Sequence, residues 1–258
     1  MSFFADFIRR YQDTEDVVII YTQPIKWGGT GLLHSMLDLL KLAYSNQDNT
    51  YFHMLTGQDI LIKPLQDLYL FFDKYPDSNF IEYGDDFMKF AQTSILAGIN
   101  RSQYYHLFDY LNYRGNKIHR QIEKYFVKTQ QLFRMKRKWP FPNYYQGSGW
   151  FSLNRAAVDE ILKFMQKNHR IAEDTFAPDE VIFQSILLNS NTNFNVVNDN
   201  LRYIIWDNQG EVGSPAILTE RHFEDMVASH CFFARKIHPE KSKQLIEMIH
   251  NHIKKNTL

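Results

Sequence analysis

The chain is short of several things, and each shortage excludes something. Its 258 residues hold one cysteine, Cys231, so an internal disulfide framework is excluded and a reducing compartment is expected. Neither sign of charge is in excess, because 29 Lys and Arg stand against 29 Asp and Glu. A zero balance argues against a nucleic-acid binder, whose affinity rests on clustered positive charge. No apolar run reaches the ~18 residues that cross a bilayer, and no signal-peptide pattern opens the chain. The expected location is the cytoplasm, or the periphery of a membrane. No Asp-x-Asp pair, glycine-rich phosphate loop, Gly-x-Ser-x-Gly elbow or Cys/His cluster occurs. His250 and His252 are two apart, which puts them on different faces of a helix, so no metal ligand set is expected.

Aromatic residues are plentiful: 21 Phe and 15 Tyr suit a packed core and flat surfaces for stacking. Phe4, Phe7, Ile8 and Tyr11 follow helical spacing and predict a short helix over 2–13. The β-branched run VVIIY (17–21) reads as a buried strand, and a helix follows through Leu33, Met36, Leu37 and Leu40. YFHMLT (51–56) and NFIEYG (79–84) read as strands on either side of a helix over about 64–72. Residues 85–115 read as a long loop with one or two short helices. A helix through Ile118, Ile122, Tyr125 and Phe126 ends in the basic run RMKRKW (134–139), where cations favour the C-terminal dipole. WFSL (150–153) is a strand, Asn154 a helix cap, LRYIIW (201–206) a strand and 239–256 a closing helix. Strands alternating with helices predict an α/β fold with a mainly parallel sheet flanked by helices. With no repeat or linker, one domain over 1–258 is expected.

The candidate sites each carry two readings. In FAPDEVIFQSILLNS (176–190), Asp179 and Glu180 follow Pro178 at a helix mouth, where the dipole alone favours acidic residues. Alternatively, that dipole holds Glu180 ionised at a cleft, ready to take a proton. TGQD (56–59) follows a strand, where open α/β sheets place ligands, so Asp59 either meets a ligand or caps the next segment. Glu82 also closes a strand and is either a ligand contact or a solvated carboxylate. Trp27, Trp150 and Trp206 offer indole faces suited to sugar C–H surfaces, or to the core. Arg235 and Lys236, in ARK, are a surface pair or a fixed charge for a phosphate leaving group. His53 and His106 read as satisfied interior residues.

In order, WGGTGLLHSMLDLL, MLTGQDILIKPLQDL, NFIE, YYQGSGWFSLNRAAVDEIL, APDEVIFQSILLNS, LRYIIW and FFARKI resemble the Core-2/I-branching glycosyltransferases, relatives of the xylosyltransferases. The resemblance runs over about 17–237. It implies a GT-A type, Rossmann-like fold, with a nucleotide half over about 1–85 and an acceptor and catalytic half over about 86–258. It further implies inverting, metal-independent transfer of N-acetylglucosamine or xylose from a UDP-sugar to a saccharide, with no cofactor. Glu180 would be the general base, with Asp179, Glu82 and Trp150 on the acceptor side. Asp59, Trp206, Arg235 and Lys236 would serve the donor. The family's opening strand–helix–strand has no counterpart upstream of VVIIY, and Gly213 and Ser214 stand near the place of a phosphate-binding Arg. The rival expectations are a non-catalytic carbohydrate-binding module of this fold and, more weakly, a glycoside hydrolase. The latter needs two carboxylates facing each other roughly 5–10 Å apart, which adjacent residues do not supply.

Overall fold

The computed structural model describes residues 10–11, 14, 16–84, 98–206 and 214–257. Within them the chain runs through α1 (Gly31–Ser45), β1 (Tyr51–His53), β2 (Asp59–Leu61), α2 (Leu65–Lys74) and β3 (Ser78–Tyr83). Then come α3 (Asn100–Gln103), α4 (Lys117–Leu132), β4 (Gly147–Asn154), α5 (Arg155–Asn168) and α6 (Ile182–Leu188). β5 (Asn195–Val197), β6 (Arg202–Ile204), α7 (Phe223–Ala228), β7 (Phe233–Arg235) and α8 (Lys243–Asn256) complete it. The α/β class is as the alternating pattern requires. The expected helix over 2–13 lies outside the described residues apart from Arg10 and Tyr11, as do 85–97 of the expected loop.

Two small sheets carry the strands, in the orders β1-β4-β3-β5 and β2-β7-β6. Their pairing is mixed rather than mainly parallel: β4 runs antiparallel to both β1 and β3, and β2 to β7, while β3–β5 and β6–β7 are parallel. The physical reason is the connection. A short helical crossover returns the chain in the same direction, but β4 follows β3 only after the whole 84–146 excursion and enters between β1 and β3 from the opposite end. Residues 17–21 form no strand, and among the described residues no strand pairs with them, so Val18 and Tyr21 stay exposed.

The main core is built where α1, α5 and α6 cover one face of the first sheet. Leu33, Phe151, Ile161, Ile182 and Phe183 are fully buried there. Asn154 caps α5 as expected, its side chain accepting from Ala157 N at 2.9 Å. On the other side, Phe72, Phe80, Phe232 and Phe233 join the two sheets, and α8 covers the second through Leu245 and Ile249. Arg202, buried and cationic, ties the sheets together. It donates to the carbonyl oxygens of Met54 and Phe151 at 2.9 Å each, to Ser152 Oγ at 3.2 Å and to the Asn200 carbonyl. Burial pulls its guanidinium down to about 9. The two interior histidines are satisfied, as expected: His53 Nδ1 meets Ser152 Oγ at 2.8 Å and His106 Nδ1 meets Glu123 Oε1 at 2.7 Å.

Candidate active site

The Pro-Asp-Glu stretch forms a 3-10 turn, Pro178–Glu180, rather than the first turn of an α-helix, and α6 begins only at Ile182. Ala177, just before it, has φ 46° and lies in the left-handed region that L-residues avoid. Two contacts hold it there. Ala177 N donates to the Gly28 carbonyl at 2.7 Å, and Phe176 N to the Arg101 carbonyl at 3.1 Å. Phe176 packs with Phe108 and Trp27, while the Arg101 guanidinium sits 4.7 Å from the Phe176 ring.

The turn sends its two carboxylates to different environments. Glu180 is partly exposed, and its Oε2 accepts from Arg101 Nη1 at 2.5 Å. Its Oε1 has no hydrogen-bond partner among the described residues. Asp179 is buried against β4, where a Cβ on Gly149 would lie 3.3 Å from its Oδ2. Burial first, and the neighbouring Glu180 charge second, push Asp179 up to about 7. Tyr144, half-buried near Arg101 and Glu180, has a hydroxyl without a partner among the described residues, and burial raises its pKa strongly, keeping it protonated.

Glu82 closes β3 and is not a solvated carboxylate. Asn200 Nδ2 donates to its Oε2 at 2.8 Å and to Ser148 Oγ at 3.1 Å, and desolvation raises its pKa. Asp59 opens β2, with its side chain wholly buried. Its Oδ2 accepts from Thr56 N at 2.5 Å and its Oδ1 from Arg235 Nη1 at 3.2 Å. The Arg235 guanidinium also reaches Thr56 Oγ1 at 2.6 Å and lies 4.3 Å from the centre of the Trp150 ring. Asp59 thus closes the 56–59 turn behind it and neutralises Arg235. Next along, Lys236 is half-buried and, among the described residues, its side chain donates only to Ser214 Oγ, at 3.2 Å. Trp206 is half exposed at the end of β6.

Three consecutive residues of β4 touch all three groups. Ser148 joins the Glu82–Asn200 network, Gly149 backs Asp179, and Trp150 stacks on Arg235. Because side chains alternate across a strand, Asp179 approaches one face of β4 while Ser148 and Trp150 serve the other. Two further cavities, of about 980 and 840 Å³, open beside Thr30 and Lys163 and beside Arg137 and Trp139, and none of the assigned side chains lines either. Among the described residues, no group of three or more His, Cys, Asp or Glu stands close enough to hold a metal ion.

Sequence reading missed Arg101, Tyr144, Ser148 and Asn200. Tyr144 and Ser148 lie in the YYQGSGW motif but nothing there gives them a role, and each of the four acts across a long separation, 79 residues in the case of Arg101 and Glu180. Trp27 belongs to an aromatic cluster with Phe108, Tyr113 and Phe176, under the Arg114 guanidinium, rather than standing alone in a loop.

A search of curated proteins finds no match to this chain. The Core-2/I-Branching enzyme family, by contrast, matches residues 2–227, a span that holds Asp59, Glu82, Trp150, Asp179, Glu180 and Trp206 and ends before Arg235 and Lys236. With the match covering most of its length, the chain belongs to the Core-2/I-branching enzymes, a family of glycosyltransferases.

Proposed function

We propose that the chain is an inverting transferase that moves a sugar, N-acetylglucosamine or xylose, from a UDP-sugar to a saccharide acceptor without a metal. One observation carries this reading: Glu180 is held on one oxygen by Arg101 while its other oxygen is unpartnered and the side chain is partly exposed. A carboxylate so oriented suits a general base. It takes the proton of an acceptor hydroxyl as that oxygen attacks the anomeric carbon opposite the departing diphosphate. The new glycosidic bond forms as the bond to the diphosphate breaks, and the electron pair leaves with the diphosphate. Asp179, buried against β4 and pushed towards its neutral form, is not placed to take that proton. Lys236 is the better candidate for charge on the leaving group, because Arg235 already faces Asp59. Asp59 and Trp150 then position Arg235, and Glu82 and Trp206 line the sugar subsites.

The neutralised Arg235 also favours a second reading, a non-catalytic sugar-binding domain of the same fold. One experiment separates the two. Glu180→Gln should lower turnover on the order of 10² to 10⁴ while calorimetry still shows UDP binding. Turnover should survive EDTA. Near-normal turnover in the variant would remove Glu180 as base, absence of UDP binding would favour the binding domain, and strict need for added Mn²⁺ would end the metal-free mechanism.

A further inference from the structure

Helix α4 presents its apolar side to the outside. Ile118, Ile122, Tyr125 and Leu132 recur at helical spacing and form one stripe. In a helix serving the core that stripe would turn inward, yet here Ile118 is 69% exposed, Tyr125 64% and Leu132 78%. The face against the protein carries Glu123, Val127 and Gln130 instead. Polar contacts fix it in that orientation. Glu123 Oε2 accepts from Leu107 N, and Gln130 exchanges two hydrogen bonds with the Tyr105 backbone, all at 2.8 Å. Past the helix, Phe133 and Met135 extend the exposed apolar surface.

Charge is distributed as unevenly as polarity. Residues 114–138 contain nine Lys and Arg and a single acid, in a chain whose charges balance as a whole. That acid, Glu123, is buried against His106, so the outward surface of the segment carries no carboxylate. Lys117, Lys124 and Lys128 are exposed and run along one border of the stripe, about a quarter turn away. Nor does the basic run 134–138 sit on the last helical turn as the sequence suggested. Leu132 ends α4, Arg134 turns away with φ 54°, and the run continues as a strap outside any helix, with Arg137 tied back to Thr175 and Arg170 and Arg134, Lys136 and Lys138 exposed.

An exposed apolar stripe bordered by cations has the composition of an interfacial amphipathic helix. We propose that α4 and the 133–138 strap lie on an anionic lipid surface, with the stripe at the headgroup–acyl boundary and the lysines on phosphates. A second copy of the chain is a poor occupant, since a two-fold contact on this stripe would set Lys117, Lys124 and Lys128 of one copy against those of the other. The segment beneath α4, 105–107, follows directly on α3, which carries Arg101, so the docked face adjoins the element that clamps Glu180. The proposal does not depend on the transferase reading.

Flotation of the full chain with phosphatidylcholine vesicles, with and without phosphatidylglycerol, tests it. Binding should require phosphatidylglycerol and fade as the Debye length shrinks from ~10 Å at 0.1 M salt to ~3 Å at 1 M. The triple change Lys117→Gln, Lys124→Gln, Lys128→Gln should lower partitioning about a hundredfold, at roughly fivefold per cation. Ile122→Ser with Leu132→Ser should release the protein without altering its thermal melting, because both side chains are exposed. Failure to float with phosphatidylglycerol overturns the proposal, as does binding indifferent to both sets of changes. So does a dimer in sedimentation that the serine variant dissociates, which would make the stripe a contact between copies.

Discussion

Asp179 shows how much one burial decides. In an unfolded chain its carboxyl titrates near 3.8, whereas in the fold it is raised to about 7, by desolvation first and by Glu180 second. Below the lower value both states hold the proton, so nothing is lost. Between about 4 and 7 the unfolded chain releases its proton while the folded one keeps it, so this residue's contribution to stability falls as pH rises through that window. Asp179→Asn removes the titration and keeps the shape. The variant should therefore gain on the parent by a few kcal/mol, on the order of the shift at ~1.4 kcal/mol per unit, when urea unfolding is compared at pH 8 rather than 4.5. An equal gap at both pH values would mean that the carboxyl ionises freely in the fold. The sequence marked Asp179 and Glu180 as a pair, but it could not tell which was buried. Gly149, the backbone that Asp179 lies against, is 30 positions away in sequence.

At the scale of elements, the Pro-Asp-Glu turn depends on a glycine far from it. Gly28 has φ 77°, and a Cβ there would come 2.6 Å from the Phe176 ring. Its carbonyl holds Ala177 in the left-handed conformation that launches the turn. Gly28→Ala adds backbone strain of about 1 kcal/mol or more and a steric conflict besides. The expected outcome is a lower melting temperature and reduced turnover with UDP affinity retained, since Lys236 directly follows β7 of the second sheet and makes no hydrogen-bond contact with the turn through Gly28. Parallel loss of turnover and UDP affinity would show that the damage is global. Local pattern served well for several elements. The strands at 51–53 and 78–83, the Asn154 cap and the C-terminal helix all follow from propensity, period and capping chemistry. It failed at 17–21, because a β-branched run becomes a strand only where another strand offers hydrogen bonds. It placed the helix α4 correctly but left its buried side open, because period reveals a stripe and not the side on which the protein lies.

Over the whole molecule, the two sheets carry different parts of the candidate site, and Arg202 is the main polar tie between them. Its guanidinium satisfies carbonyls of the first sheet from a strand of the second. Arg202→Met would fill the space yet leave the Met54 and Asn200 carbonyls without the guanidinium's hydrogen bonds, at about 1–3 kcal/mol each, while the Phe151 carbonyl keeps Met54 N as its donor. A total loss on the order of 3 kcal/mol is expected in urea unfolding. A loss below about 1 kcal/mol would show that Phe72, Phe80 and Phe233 suffice to hold the sheets together.

By itself the sequence determined what is local or order-dependent: the α/β alternation, most element positions, the carboxylate pair and the ordered motifs that mark the family. Tertiary structure alone decided the mixed strand pairing, the clamp of Arg101 on Glu180 and the neutralisation of Arg235 by Asp59. It also decided the outward turn of α4. These features join residues scores of positions apart, and burial and charge pairing come into being only once the chain has brought such residues within a few ångströms of one another.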